Sequence, residues 1–388
     1  MPSNDPSSWN VEPLGHSDLN GHGNGGQVSV AKLGERHYAF VGHMLGMGTS
    51  ILDVSDPGSP EVVAQIPIGE NNHSHKVRVC GDYILVNAEQ LGARRPFEAG
   101  LRIYDIRDPS SPEEVSFFET GGKGVHKYWV DCDERLAYIA TEDEGYHGAF
   151  FMAVDFSEPE APREVSRWWL PGQHLAGGEK PGGDSGRVSY RLHHPVVLGD
   201  RAYLGYWDAG YVILDISDLE RPEMVSRRCY TPPYGGAFHT ALPIARKIGG
   251  RDWLVVFQES LTLYDREGLK LMWVVDITDE ENPVSVSTFS VPTEGFDLDA
   301  GRFGPHQPHE DLDATDDLIY AAWFGGGLRV VSIADPYRPV EVGHYIPPTP
   351  EGQDSIQTND VFVDDRGLVY IIDRLNRGLD ILEYTGPR

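Results

Sequence analysis

One pattern of apolar and polar positions recurs from near the start of the chain to its end. In most copies an apolar run with period-two alternation ends in Asp, and a turn that contains Pro leads into a second such run. The copies are ILDVSDPGSPEVV from Ile51, LRIYDIRDPSSPEEV from Leu101, MAVDFSEPEAPREV from Met152, VILDISDLERPEMV from Val212, WVVDITDEENPVSV from Trp273, LRVVSIADPYRPVEV from Leu328 and the shorter GLDILEY from Gly378. Two further period-two runs precede each copy, as in VRVCGDYILV from Val77. Each repeat therefore predicts four antiparallel strands.

Four-stranded units of roughly 40 to 50 residues are typical of β-propeller blades, which remove exposed sheet edges by closing into a ring. We therefore predict an all-β fold: one seven-bladed β-propeller domain of four-stranded antiparallel blades over residues 1–388. The predicted blades cover approximately residues 27–68, 75–120, 126–170, 193–230, 239–291, 309–347 and 359–385. The last copy stops after its third strand, so residues 9–16 are expected to close the last blade.

The strand phrases VILDISD and ILDVSD resemble the repeats of the LVIVD-repeat β-propeller family. The resemblance extends over nearly the full length of the chain. It implies the propeller fold, but it implies no particular chemistry, because one fold can carry many unrelated sites.

Composition narrows the classes of partner. The chain has a formal net charge of −28, which argues against a nucleic-acid partner because phosphate contacts need clustered Lys and Arg. No apolar run approaches the roughly 18 residues of a membrane span, so no membrane partner is predicted. The opening MPSNDPSSWN lacks a secretory signal, and the three cysteines are widely spaced, so we expect a cytoplasmic protein without a thiolate metal site. The oligomeric state is left open.

A histidine recurs at one position when the units are aligned on their first strands. The five are His75 in HKVRV, His126 in HKYWV, His193 in HHPVV, His239 in HTALP and His309 in HEDLD. The seventh unit has Asn359 there, and the first has Gly26, with His22 four residues earlier. Because the first strand of a blade lies innermost, these side chains are expected to surround the mouth of the central channel.

Several imidazoles buried together without a cation are electrostatically unfavourable, so the recurrence favours a metal site. The predicted ligands are His75, His126, His193, His239 and His309, with His75 alternatively an acid or base. Nitrogen ligands favour Fe(II), with Cu, Zn or Mn as alternatives, over calcium or magnesium. The structural alternative is that His was duplicated with the repeat and only spaces neighbouring blades.

Other side chains are expected near this channel mouth. Glu142 and Glu259 end second strands on the same face and are predicted to orient the imidazoles, as catalytic groups together with His75. Residues expected to contact substrate or to lie behind the ligands are His22, His73, His194, His306, Asn359, Trp207, Trp323 and Arg191. Three long loops, 90–100, 171–192 and 293–308, are expected to form a lid.

These expectations define three functional hypotheses. The first is a metal-dependent enzyme, a non-heme iron or copper oxygenase or oxidase that acts on a small organic molecule. The second is a metal-dependent lyase or hydrolase that uses His or Tyr acid–base chemistry. The third is a propeller without enzymatic activity that binds a protein partner.

Overall fold

The computed structural model describes residues 5–93, 95–181, 190–231 and 234–387. Within these ranges the chain forms 29 β-strands and one four-residue helix, α1 (Tyr264–Glu267). The strands are β1 (Ser7–Trp9), β2 (Val11–Ser17), β3 (Gly25–Leu33), β4 (Arg36–His43), β5 (Thr49–Asp53), β6 (Glu61–Ile66), β7 (Asn72–His73), β8 (Val77–Cys80), β9 (Tyr83–Gln90), β10 (Gly100–Asp105), β11 (Glu113–Glu119), β12 (Gly121–Asp131), β13 (Leu136–Glu142), β14 (Phe150–Asp155), β15 (Arg163–Trp168), β16 (His194–Leu198), β17 (Arg201–Gly205), β18 (Tyr211–Asp215), β19 (Glu223–Arg228), β20 (Phe238–Ile248), β21 (Arg251–Gln258), β22 (Met272–Asp276), β23 (Val284–Phe289), β24 (Leu318–Ala322), β25 (Leu328–Ser332), β26 (Val340–Ile346), β27 (Thr358–Val363), β28 (Leu368–Asp373) and β29 (Leu379–Tyr384).

The strands pair as antiparallel sheets of four. Five sheets are separate, with the orders β3-β4-β5-β6, β16-β17-β18-β19, β20-β21-β22-β23, β1-β26-β25-β24 and β2-β29-β28-β27. A nine-stranded sheet contains two further four-stranded meanders, β8 to β11 and β12 to β15, because Gly124 of β12 pairs with Glu89 of β9. The predicted all-β class and the antiparallel units of four strands are confirmed.

The N-terminal segment joins the last two sheets of the chain. Strand β2 pairs with β29 from Val11 opposite Tyr384 to Ser17 opposite Leu379, which is the pairing predicted for residues 9–16. Strand β1 pairs instead with β26, where Ser7 lies opposite Ile346. The sequence pattern did not predict this second pairing, because three exposed residues carry no period-two signal.

Seven clusters of buried apolar side chains lie between neighbouring sheets or meanders. Six of the clusters join two units that are consecutive in the chain, as where Phe40 packs with Val77. One cluster joins the last unit to the first, through Val28 and Tyr370. The seven clusters therefore connect every unit to both of its neighbours. Burial of these apolar surfaces stabilises each contact between units.

The aspartates of the repeat close its turns. The Asp at the end of the third strand accepts the backbone N–H two residues later, at 2.8 to 3.0 Å. These residues are Asp53, Asp105, Asp155, Asp215 and Asp276. A second Asp, three residues on, makes the same contact at 3.0 to 3.2 Å in Asp56, Asp108, Asp218, Asp279 and Asp335. The side chains of the two aspartates therefore cap two successive turns of each repeat.

Asp276 provides a test of this role through pH. Burial alone would raise the pKa of Asp276, but hydrogen bonds from Thr278 and the Arg251 guanidinium lower it. A carboxyl with a lowered folded pKa stabilises the protein above its unfolded pKa of about 3.9, and the contribution is lost as pH falls through the folded value. We expect Asp276→Asn to lower the free energy of unfolding by up to about 1 kcal/mol at neutral pH.

The difference should shrink as urea unfolding is repeated from about pH 6 towards about pH 3, because wild-type Asp276 then becomes neutral as well. Asp133→Asn, which changes an exposed carboxylate, is the control. A loss of stability that is the same at every pH would contradict the charge-dependent role of Asp276.

Candidate functional site

An arc of six imidazoles lines one cavity of about 230 Å³. Consecutive rings of the arc lie 3.8 to 4.9 Å apart between their centroids. The order is His73, His75, His126, His193, His239 and His306. The structure therefore brings together four of the five histidines that the alignment selected.

The fifth position belongs to His306 and not to His309. His309 accepts a hydrogen bond from the backbone N–H of Val363 at 3.3 Å, packs 5.1 Å from Phe362, and lines a different cavity. Its backbone N–H donates to Tyr320 O, whereas that of His306 donates to Ala322 O. The alignment was shifted by three residues because it assumed a regular first strand, and this unit has only an isolated bridge at Pro308.

Asn359 and Gly26 complete a ring with the imidazoles. His306 Nδ1 donates to the Asn359 carbonyl, and Asn359 Nδ2 donates to the Gly26 carbonyl. A β-carbon at Gly26 would lie 2.6 Å from Cβ of His75, so only glycine allows this approach. Each member of the ring therefore contacts the next, from Gly26 through the imidazoles to Asn359, and Asn359 contacts Gly26.

β-Bulges aim several members of this ring into the channel. The strand register shifts at Gly25/Gln27, Val125/Lys127, Phe238/Thr240 and Thr358/Asp360. The residues skipped by these shifts are Gly26, His126, His239 and Asn359. A bulge leaves one residue outside the ladder and turns its side chain away from the sheet, which explains why strand alternation alone does not place these groups.

Hydrogen bonds define which nitrogen of His193 is free. His126 Nδ1 lies 2.8 Å from Glu89 Oε2, so Nδ1 carries the proton that the carboxylate accepts. In neutral His126 the other nitrogen, Nε2, is an acceptor, and it lies 2.9 Å from His193 Nε2. His193 Nε2 therefore donates, and the lone pair remains on His193 Nδ1. That atom is buried without a hydrogen-bond partner among the described residues.

His239 and His306 also keep one lone pair each. The Thr240 hydroxyl donates to Gln307 Oε1 at 3.2 Å and accepts from His239 Nδ1 at 2.7 Å. His306 Nδ1 donates to the Asn359 carbonyl. The lone pair of each ring is thus on Nε2, and His239 Nε2 is buried with no partner in the part of the chain that the structure describes. A buried, unpaired acceptor is costly unless a cation or donor satisfies it.

Glu259 adds a carboxylate to the same group. Its side chain is buried, with Oε2 4.0 Å from His193 Nε2 and Oε1 3.8 Å from His306 Nε2. One nitrogen of His193, one of His239 and one oxygen of Glu259 lie within 4.8 Å of one another. Burial raises the pKa of Glu259, against the opposing effect of Arg302 and Arg374. This group can hold one metal ion.

His75 presents a proton to the cavity. Asn87 Oδ1 accepts the Lys76 N–H at 2.8 Å, so Asn87 Nδ2 faces His75 Nδ1 at 3.4 Å and donates to it. The proton of His75 is then on Nε2. His75 is therefore a donor in this arrangement, which fits the acid role better than the ligand role.

A second group of possible ligands is His73, His75 and Glu89. Its carboxylate is already engaged, by His126 at 2.8 Å and by Arg191 at 3.5 Å. Burial alone would raise the pKa of Glu89, but His126 and His73 lower it well below the usual range. The group around Glu259 is the stronger metal candidate, because Glu89 accepts a hydrogen bond from His126 and also contacts Arg191 and His73, whereas the closest charged partner of Glu259 is Arg302 at 3.2 Å.

Five of the six imidazoles are neutral at neutral pH. Burial lowers the pKa of His75, His193, His239 and His306 well below the usual histidine range. Burial also lowers the pKa of His126 to about 4, although Glu89 opposes this. Neutral imidazole is the form that binds metal ions.

Three of the sequence-predicted residues lie away from the cavity. Glu142 lies 3.8 Å from Lys123 Nζ, so it does not orient a histidine of the arc. Trp323 is in an apolar core cluster, and the His22 ring is 6.4 Å from that of His43. Glu142 and Glu259 hold equivalent positions, since each follows the strand partner of the residue before a ring position, Thr141 opposite Val125 and Gln258 opposite Phe238. Strand position alone therefore does not distinguish them.

Other predicted residues do reach the site. His73, Asn359, Trp207 and Arg191 line the cavity, and the Arg191 guanidinium lies 5.0 Å from the Trp207 ring centroid. His194 lies behind the arc, with Nδ1 2.9 Å from Glu310 Oε1.

The predicted lid is present only in part. Arg191 and Arg302, from two of the three loops, line the cavity. Residues 182–189 and Arg94 of the predicted lid lie outside the described residues. None of residues 90–93 and 95–100 lines the cavity.

Sequence reasoning missed the basic side chains of the site. Lys76, Arg302 and Arg374 line the cavity with Arg191. Burial lowers the pKa of Lys76 to about 8, with Asp360 and Glu259 opposing, and that of Arg374 to about 10. One signal was available, because Lys76 directly follows a histidine of the ring, but Arg302 and Arg374 are brought in only by the fold.

A second layer of polar groups fills the channel directly behind the ring. Every residue that follows a ring position is polar and buried: Gln27, Lys76, Lys127, His194, Thr240, Gln307 and Asp360. Glu310 joins this layer, with Oε1 3.2 Å from Lys127 Nζ and Oε2 in an ion pair with Arg78. The repeated polar residue after the ring position was visible in the sequence.

The repeat matches a known family model. The description of that model is the LVIVD repeat, and the matched residues are 73–120, 196–229 and 310–346. The chain carries LVIVD repeats. No curated protein matches this LVIVD-repeat chain.

Solved structures agree on the β-propeller fold. Raptor from Chaetomium thermophilum matches with a TM-score of 0.61 and 10% identity over 98% of the LVIVD-repeat chain, which spans 30% of that protein. The β-propeller domain of Cps50 (Swd1) from Myceliophteria thermophila matches with a TM-score of 0.59, 13% identity and coverage of 98% and 99% of the two chains. The periplasmic gluconolactonase PpgL of Pseudomonas aeruginosa has a TM-score of 0.59, 11% identity and 98% coverage of both chains. At these identities the likeness concerns the fold alone.

The family match and the imidazole ring are largely separate features of the LVIVD-repeat chain. Two of the three matched segments begin after the ring residue of their unit, at 196 after His193 and at 310 after His306. The third segment, 73–120, covers its whole unit and includes His75. In the described residues no helix is long and apolar enough to span a membrane.

Proposed function

We propose that the LVIVD-repeat chain is a metal-dependent enzyme whose site lies at the axis of a closed seven-bladed β-propeller. Two observations support seven blades. Seven apolar clusters join consecutive units and return from the last to the first. One contact ring runs from Gly26 through His75, His126, His193, His239 and His306 to Asn359, with one residue from each unit.

The observation that carries the metal proposal is the set of free lone pairs beside a buried carboxylate. His239 Nε2 is buried without a partner in the described part of the chain, and one nitrogen of His193 lies within 4.8 Å of both His239 and Glu259. His306 Nε2, 3.8 Å from Glu259 Oε1, lies outside that group of three and is proposed as a third imidazole donor. Hydrogen bonds behind each ring fix the tautomer that leaves these atoms available, as is common for metal-bound histidines.

The donor set limits the metal. Three imidazoles and one carboxylate suit Fe(II), Zn, Mn or Cu and are poorly matched to calcium or magnesium. Such an ion would supply a Lewis acid beside the bound substrate. Among these ions, Fe(II) was the expectation from the sequence, and the donor set accommodates it.

The lining of the cavity favours acid–base chemistry, as in a lyase or hydrolase. Basic side chains outnumber carboxylates in it, so it suits a small anionic substrate rather than an apolar one. In this proposal Glu259, which Arg302 contacts at 3.2 Å, is a ligand of the ion, and His75 is the acid that donates a proton from Nε2.

Metal analysis tests the proposal. Protein without a His tag is incubated separately with Fe(II), Zn, Mn and Cu, desalted, and measured by mass spectrometry of the elements. We expect about one ion per wild-type chain, and a metal affinity at least tenfold lower in His239→Ala and His306→Ala. His309→Ala is the matched control and should bind metal like the wild type, since His309 lies outside the arc.

Each outcome assigns the protein to a class. Zinc or manganese as the ion bound on purification supports the lyase or hydrolase. Iron or copper supports the oxidoreductase hypothesis instead. If no ion binds in stoichiometric amount, or if His309→Ala loses the ion and His306→Ala keeps it, the proposed centre is wrong and a binding scaffold is favoured.

A further inference from the structure

We infer that the cavity binds a small organic dianion, through Lys76 and Arg374. This inference deepens the proposed function by naming the class of substrate, and it rests on a different set of side chains from the metal group.

The charges of the lining carry the inference. Four basic side chains line the cavity, namely Lys76, Arg191, Arg302 and Arg374, with a single carboxylate, Glu259. Arg302 pairs with Glu259 at 3.2 Å, and Arg191 contacts Glu89 at 3.5 Å. Among the described residues no carboxylate lies within 4.0 Å of the charged groups of Lys76 or Arg374. These two cations therefore lack a direct ion pair, although Asp360 and Glu259 act on Lys76, and Glu259 and Asp373 act on Arg374, at longer range.

The burial of Lys76 also supports a bound anion. Lys76 is only 3% exposed, and its side chain lines the cavity. An uncompensated buried ammonium group is costly. The neighbouring lysine of the same layer, Lys127, is compensated by Glu310 at 3.2 Å. The fold therefore supplies a counter-ion to one lysine and leaves the other facing the cavity.

The two guanidinium groups lie on the same wall. Arg302 and Arg374 lie 5.4 and 5.7 Å from the centroid of the Phe324 ring. The Phe324 ring is itself 4.7 Å from that of His306. The basic wall and the proposed metal group are therefore adjacent. One acidic group of a ligand can bind the basic wall while the rest of the molecule reaches His306 and Glu259.

Size and charge define the ligand class. A cavity of about 230 Å³ has room for roughly eight water molecules, which is the scale of a small organic acid. Two unpaired cations match two negative charges, either two carboxylates or one phosphate group. The shared chemistry is a compact dianion with several acceptor oxygens.

Calorimetric titration tests this inference with malonate and inorganic phosphate as probes and acetate as the monoanion. The full chain is used as purified and again after dialysis against a chelator. We expect one dianion probe to bind at least tenfold more tightly than acetate in both preparations. Lys76→Met and Arg374→Met should each weaken that binding at least tenfold. The better of the two probes identifies the acid group as carboxylate or phosphate.

Lys123→Met, an exposed lysine outside the cavity, is the matched control and should leave binding unchanged. Thermal unfolding confirms that each variant is folded, and the two variants provide independent tests. The inference is overturned if neither dianion binds the wild type more tightly than acetate, or if both folded variants bind like the wild type. Metal uptake is measured in parallel, so a chain that binds the dianion but takes up none of the four metal ions would refute only the proposed centre, and metal binding without dianion binding would refute only this inference.

Discussion

A chain that lacks residues 1–17 is expected to lose at least about 5 kcal/mol of unfolding free energy, because these residues supply strands to two sheets. Strand β2 has six register partners in β29, and each ladder hydrogen bond contributes about 1 kcal/mol. Val11 is 1% exposed and packs in the cluster of Leu382 and Tyr384, which adds about 1.5 to 3 kcal/mol. Urea unfolding followed by tryptophan fluorescence measures the loss.

Deletion of residues 1–6 is the matched control, since it leaves β1 and β2 in place. A synthetic peptide of residues 5–18, added to the shorter chain, should restore part of the stability by pairing with β29 again. If the chain without residues 1–17 unfolds at the same urea concentration as the wild type, the N-terminal strand does not close the ring.

Substitution of Glu310 is expected to have the second largest effect. Its carboxylate is the counter-ion of Lys127, at 3.2 Å, and of Arg78, and it contacts His194 at 2.9 Å. The Glu310 and Lys127 side chains are 3% and 1% exposed, so removal of the negative charge leaves buried positive charges without compensation. We expect Glu310→Gln to lower the free energy of unfolding by about 3 to 5 kcal/mol.

A double variant separates this charge effect from a packing effect. Adding Lys127→Met to Glu310→Gln should recover part of the lost stability, because one uncompensated charge is removed. The exposed pair Lys247 and Asp252, 2.6 Å apart, is the control, and Asp252→Asn should cost less than about 1 kcal/mol. If Glu310→Gln is as mild as Asp252→Asn, the buried network does not stabilise the channel.

The strands and turns could be predicted because each unit repeats the same local pattern of apolar residues and turn residues. The apolar alternation of a phrase such as VILDISD places alternate side chains on opposite faces, and Asp215 and Asp218 then close the turn by local hydrogen bonds. Such information is contained within about ten residues. The added strand β1, with three exposed residues, has no such local signal and depends on the exposed edge of β26.

The site was predictable to the extent that it repeats with the units. His75, His126, His193 and His239 recur with the repeat, and the structure places them in one arc. The sixth unit differs from this recurrence. Its first strand is reduced to an isolated bridge, and His306 takes the position assigned to His309. Bulges at positions such as His126 and His239 are register events between two strands, and a single strand does not reveal them.

By itself, then, the sequence determined the class of fold, the four-stranded unit, the closing role of residues 9–16 and a recurrent histidine near the axis. These properties follow from local alternation, turn chemistry and repetition. The tertiary structure alone decided which nitrogen atoms remain free, that Glu259 and not Glu142 reaches the imidazoles, and that Lys76 and Arg374 line the cavity without a direct ion pair among the described residues. The reason is physical: burial, tautomer and charge balance depend on groups that are distant in the chain and meet only when the sheets have packed around the channel.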